Sequence, residues 1–203
     1  MQDYNKKEEN TMQSRQIILA SASPRRKELL EVMGLAFRII PSRREEVIRG
    51  TSPGEIVENL SFQKAEDVIS QTDEDVIVIG CDTIVVCGSR IMGKPHTEAE
   101  AYEMINGLQG RTHEVYTGVT IMSREKDNKI AHETFYKKAL VTVHSMEEAE
   151  IWEYVKTGES MDKAGAYGIQ GKFGVFVDEI QGEYQTILGL PIAGLYQALK
   201  KYC

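Results

Sequence analysis

The run "DVIVIGCDTIVV", Asp75–Val86, limits the fold more than any other stretch of the chain. A strand with one wet face alternates apolar and polar residues, whereas a continuous apolar run is covered on both faces. The chain must therefore supply helices to either side of a sheet. The flanking patterns do so. "QIILA" (Gln16–Ala20) reads as a short buried strand, and "SPRRKELLEVMG" as a helix with Ser23 at the N-cap, Pro24 at N1 and Gly34 at C′. "AFRIIPS" is a second strand. "TSPGEIVENLSFQKAEDVIS" is a helix entered through Ser52 and Pro53, with Ile56, Val57, Leu60, Ala65, Val68 and Ile69 on its apolar face.

Beyond the apolar run the pattern changes. Gly88 and Ser89 predict a hairpin into "RIMGKP", and "TEAEAYEMINGL" a helix with a Thr97–Glu100 capping box. Two long strands follow, Thr112 to Met122 and Ile130 to His144, joined by "SREKDN". "SMEEAEIWEYVKTG" reads as a helix capped by Ser145 and Glu148, ending at Gly158, with Trp152 in the core. "AGAYGIQGKFG" is a glycine-rich loop and "GVFVDEIQGEYQTILG" a hairpin turning at Gly182. "LPIAGLYQALKKY" closes the chain as a helix with Pro191 at N1. Crossovers mixed with hairpins predict an α/β fold with a mixed sheet. A chain of 203 residues, 41% hydrophobic, suits a single domain over residues 15–203. The polar residues 1–14 read as a disordered extension.

Composition excludes several function classes. A net charge of −7 argues against broad nucleic-acid or membrane-surface binding, which needs a basic field. No apolar run is long enough for a membrane span, and the first residues lack the apolar core of a signal peptide. Three cysteines without a CxxC pair fit a reducing cytoplasm. The four histidines show no metal-ligand spacing; His113 and His144 read as structural or surface residues on strands.

Two local conflicts point to chemistry. "SASPRR" places Arg25 and Arg26 in the first turn of a helix, where the dipole is already positive. An anion on the free N–H groups reverses the sign of that conflict, and guanidinium forks match phosphate oxygens; Ser21 and Ser23 add hydroxyls. A solvated basic face is the other reading. Asp82 interrupts the buried strand, where a carboxylate is costly unless paired or bound to a metal. It is a candidate general base or Mg²⁺ ligand, or a buried acid satisfied by backbone donors or an arginine. Lys64, on the apolar side of its helix, either snorkels or meets phosphate. Lys94 sits at a strand end where it can face a cleft. Glu45 and Glu46 are candidates to complete a metal site with Asp82, with solvated surface as the alternative. Gln170, among the glycines of "AGAYGIQG", offers an amide able to read a base edge; a ligand-free turn is the alternative there.

Together "LASASPRRKELL", "GCDTIVV", "GKP", "GRTHEVYTGV", "MDKAGAYGIQG" and "GLPI" resemble the Maf family, regarded as nucleoside triphosphate pyrophosphatases. The resemblance implies a mixed, elongated sheet with flanking helices and two lobes around a cleft, related to the inosine triphosphate pyrophosphatase fold, and a homodimer in many members. It implies hydrolysis of a nucleoside triphosphate to monophosphate and pyrophosphate with Mg²⁺ or Mn²⁺. The family's catalytic acid falls on Asp82, its phosphate contacts on Ser21, Arg25, Arg26, Lys64 and Lys94, and its second metal-side acid on Glu46. Base choice falls on Arg25, Thr83 and Gln170, and "GIQG" with "DT" resembles the dTTP/UTP branch. A non-enzymatic nucleotide-binding regulator of cell division and a purine (inosine or xanthosine) triphosphate pyrophosphatase stand as rivals.

Overall fold

In the computed structural model, which describes residues 15–72, 75–125 and 129–202, the apolar run is the central strand β3 (Val76–Cys87). Its residues are buried almost end to end, as the absence of alternation requires. On one edge β3 pairs antiparallel with β5 (Thr112–Arg124) from Val76 to Val86. β6 (Ile130–Val143) and β7 (Val177–Gln181) continue the sheet antiparallel. The turn expected in "SREKDN" lies partly outside the described residues. The other edge of β3 is divided. β1 (Gln16–Leu19) runs parallel to Val76–Ile79, and β4 (Arg90–Met92) hairpins back onto Val85–Cys87. No described strand pairs Gly80–Ile84 on that edge. β2 (Phe37–Ile39) lies outside β1 and completes a seven-stranded mixed sheet.

Helices α1 (Pro24–Val32) and α2 (Pro53–Ile69) make the crossovers between the parallel strands. Ser52 and Glu55 close a full capping box on α2, and Gly34 takes φ +69 after α1. α3 (Glu98–Leu108) and α4 (Glu148–Val155) cover the half of the sheet beyond the break. The core divides accordingly. Ile17, Leu19, Ile77, Ile79, Val119 and Leu195 pack on one side of it, and Met92, Ile105, Leu108, Val141, Ile151 and Phe173 on the other. Two lobes thus meet at the unpaired segment of β3.

Five expectations change. "EYQTILG" is a helix, α5 (Tyr184–Leu188), so the hairpin has only its first arm. Its β-favouring side chains are overridden by a glycine stop: Gly189 at φ +99 closes the helix, with the N–H groups of Gly189 and Leu190 both reaching the Gln185 carbonyl. Pro191 stands one residue before α6 (Ile192–Leu199), at its N-cap. The α4 cap is Glu147, whose N–H donates to Glu150. Trp152 is half-buried, stacked on Tyr102 with ring centroids 4.7 Å apart. The α3 box is half made: Thr97 accepts from the Glu100 N–H, while the Glu100 carboxylate takes the His96 N–H.

The seat of α2 on the sheet fixes the site. Gly80 and Gly118 lie where the helix backbone comes closest. A Cβ on Gly80 would stand 2.2 Å from the Ser61 carbonyl oxygen, and one on Gly118 would stand 2.2 Å from that of Val57. Gly118 is the register partner of Asp82. Gly118→Ala therefore has to lift α2, and is expected to cost roughly 1–3 kcal/mol. The shift of the urea midpoint would measure it; a midpoint within error of wild type would contradict the close seat.

Candidate active site

The unpaired segment of β3 floors a cleft of about 910 Å³. One wall is the β1–α1 turn, with Ser21, Ser23, Arg25 and Arg26; another carries Glu46 and Lys64; the third carries Gly93 and Lys94 after β4 and the segment from Asp162 to Ile169. Among the expected site residues, Ser21, Arg25, Arg26, Glu46, Lys64, Asp82, Thr83 and Lys94 all line it. Gln170 is exposed and is not among the lining residues.

Asp82 and Lys64 form an ion pair, their side chains 11% and 15% exposed. The Lys64 Nζ also lies 2.9 Å from Glu46 Oε1. One ammonium thus joins two carboxylates, which offsets the cost of placing Asp82 in the strand. Burial pushes the Cys81 thiol up to about 11 against the opposing pull of Arg26 and Lys64, so it supplies no thiolate beside them at neutral pH. Among the described residues no cluster of three or more His, Cys, Asp or Glu could hold a metal. Two carboxylates converging on one cation still suit a divalent ion that takes its remaining ligands from substrate phosphate and water.

The two arginines do different work. Arg26 donates through Nε to the Gly189 carbonyl at 2.9 Å, through Nη1 to Ser21 Oγ at 3.0 Å and through Nη2 to Thr83 Oγ1 at 3.1 Å. Thr83 lies 2.9 Å from Thr117, whose hydroxyl donates to the Thr186 carbonyl at 2.7 Å. With its proton spent there, Thr117 accepts from Thr83. This chain ties α1, β3, β5 and α5 together, so Thr83 acts within a bracing network. Ser21 Oγ accepts from Arg26 and, at 3.2 Å, from the Ser23 N–H, leaving its own O–H to donate. Ser23 makes no side-chain cap to α1, so the first-turn N–H groups keep their capacity for an anion. Arg25 reaches across the cleft toward Asp162, with Nη1 3.9 Å from Oδ2.

The glycines of "AGAYGIQG" serve the protein's own side chains. A Cβ on Gly168 would meet Lys163 Cε at 2.5 Å, and one on Gly171 would meet Glu159 Oε2 at 2.1 Å. The Gly168 N–H donates to the Tyr154 hydroxyl, and the Lys172 N–H to Glu159. His113 Nε2 pins Tyr167 at 2.8 Å from within the core. Asp162, Lys163, Thr117 and Gly189 were not singled out in the sequence. Their tie to the site is tertiary, although "MDKAG" adjoins the glycine-rich stretch.

Burial lowers the pKa of His113 to about 4, and its Nδ1 has no partner among the described residues. Between the unfolded value near 6.5 and this folded value, the unfolded chain binds the extra proton. Stability from the neutral ring is therefore present above pH 6.5 and falls away toward pH 4, by on the order of 3 kcal/mol. Unfolding free energies of wild type and His113→Gln at pH 7 and pH 4.5 test this. The variant is expected to lose less stability on acidification; equal losses would contradict it.

A family model described as Maf-like protein matches residues 16–202. A relative from Lachnoclostridium phytofermentans named dTTP/UTP pyrophosphatase is 48% identical, covering 92% of this chain and 95% of its own. One of the same name from Bacillus thuringiensis subsp. konkukian is 51% identical, covering 93% and 96%. The Staphylococcus aureus Ham1 protein aligns in structure with a TM-score of 0.50 at 14% identity, over 93% of this chain and all of its own, and shares the fold.

Proposed function

Because the chain belongs to the Maf family, we propose that its cleft hydrolyses nucleoside triphosphates, dTTP and UTP first, to the monophosphate and pyrophosphate. The observation that carries this reading is the convergence of Asp82 and Glu46 on the Lys64 ammonium at a sheet edge lined by Ser21, Arg25, Arg26 and Lys94. A binder of nucleotides has no need for a carboxylate at that depth.

The residues divide the work by position. The Ser21 hydroxyl, the first-turn N–H groups of α1, Arg25 and Lys94 take phosphate oxygens. Arg26 holds the turn that presents them, through its bonds to Gly189, Ser21 and Thr83. Asp82 orients a water at the α-phosphorus and accepts its proton as the new P–O bond forms and the bond to pyrophosphate breaks. Lys64 balances the charge of Asp82 before reaction and that of the departing pyrophosphate after it. Asp82 and Glu46 would hold a divalent ion, Mg²⁺ or Mn²⁺, which when bound neutralises triphosphate charge.

Other parts of the reading are a homodimer, as in many members of the family, and work in the cytoplasm. Among the described residues no helix is long and apolar enough to cross a membrane.

Pyrophosphate release over all common nucleoside triphosphates, with Mg²⁺, tests the reading. UTP and dTTP are expected to turn over fastest, and Asp82→Asn to lower kcat by about 10²–10⁴ as for loss of a general base. Preference for inosine or xanthosine triphosphate would move the chain to the purine class. No turnover, with unaltered triphosphate binding in Asp82→Asn, would leave a regulator that only binds.

A further inference from the structure

Away from Asp82 the cleft changes character. Val85, Ile91, Val115, Tyr167 and Ile169 offer an apolar wall suited to the face of a base. At its border stand three polar side chains in a row. The Lys163 Nζ lies 2.6 Å from Asp162 Oδ1, and Arg25 Nη1 lies 3.9 Å from Asp162 Oδ2. Read across, the row is donor, acceptor, donor.

Lys163 is fixed in place. It lies along Gly168 and donates to the Glu159 carbonyl as well as to Asp162, so two of its three N–H bonds are used and one remains. Burial works against the charge of Asp162, yet the Lys163 hydrogen bond and the nearby Arg25 hold its pKa below the ordinary value. It is therefore an acceptor only at neutral pH.

The geometry points to Lys163, Asp162 and Arg25 as the elements that read the base: Lys163 toward O4, Asp162 toward N3–H, and Arg25 toward O2 of uracil or thymine. This rests on the reading of the cleft as a pyrimidine triphosphate site. Uracil and thymine present acceptor, donor, acceptor along this edge. Cytosine presents an amine to Lys163 and a bare nitrogen to Asp162, and guanine presents an amine to Arg25. Selection thus comes from mismatched polar groups as much as from matched ones. Gln170, exposed and outside the lining of the cleft, is not needed for it.

The test compares kcat/KM for UTP, CTP and N3-methyl-UTP. Wild type is expected to favour UTP over each by at least about tenfold, as for a site built to bond an N–H that the analogue lacks. In Asp162→Ala the UTP and N3-methyl-UTP values should come within about threefold of each other, with the loss falling on UTP. In Lys163→Met the preference for UTP over CTP should fall by about tenfold or more. The wild-type comparison needs no variant to fold. A wild type that turns over UTP and N3-methyl-UTP equally, or an Asp162→Ala enzyme that keeps the full discrimination, would overturn the assignment and leave the proposed activity intact. A wild type inert toward UTP and dTTP would overturn both.

Discussion

The closeness of α2 to the sheet sets everything else in the cleft. The helix sits over Gly80 and Gly118 at a distance that excludes any side chain there. From that seat Lys64 reaches Asp82 on β3 and Glu46 on the loop before the helix. A buried carboxylate in the middle of an apolar strand would otherwise be a large cost; the ammonium fixed against Asp82 offsets that cost at the floor of the cleft. The hydroxyl chain from Ser61 through Thr120 to Thr134 lies under the same helix, its two links each 2.9 Å long, and satisfies polar groups that the close packing cuts off from water.

A second brace holds the opposite wall. Arg26 joins the β1–α1 turn to the end of α5, and the Thr83–Thr117–Thr186 chain carries that tie through two central strands. This answers why two adjacent arginines stand at the positive end of a helix. Arg26 offsets the dipole conflict with three acceptors supplied by the protein, while Arg25 remains on the cleft side, paired only loosely with Asp162. In the proposed reading, phosphate goes to the first-turn N–H groups, Ser21, Lys94 and Arg25, whose guanidinium also faces the base, with Arg26 keeping the turn in register.

Legibility in the sequence followed the range of the interaction. The buried β3, the caps of α1 and α2 and the Gly88–Ser89 hairpin are local patterns and could be read directly. Asp82 and the Arg25–Arg26 pair stood out because each breaks a local rule. Glu46 and Lys94 could be named only as candidates until the resemblance singled them out, since neither conflicts with its neighbours. Thr117, Gly189 and Asp162 lie in stretches that carry the resemblance but are not marked singly there, because their partners Thr83, Arg26 and Arg25 lie on distant segments. The α5 helix was hidden by "YQTIL", whose side chains favour a strand; its end is set by Gly189, which also carries the carbonyl that Arg26 needs.

The central claim is that this packing delivers one water, through Asp82, to the α-phosphorus. Hydrolysis of UTP in ¹⁸O-labelled water, with mass analysis of both products, tests it most directly. The account predicts one labelled oxygen in UMP and none in pyrophosphate. Label in pyrophosphate would mean attack at the β-phosphorus and would contradict the placement of Asp82 proposed here.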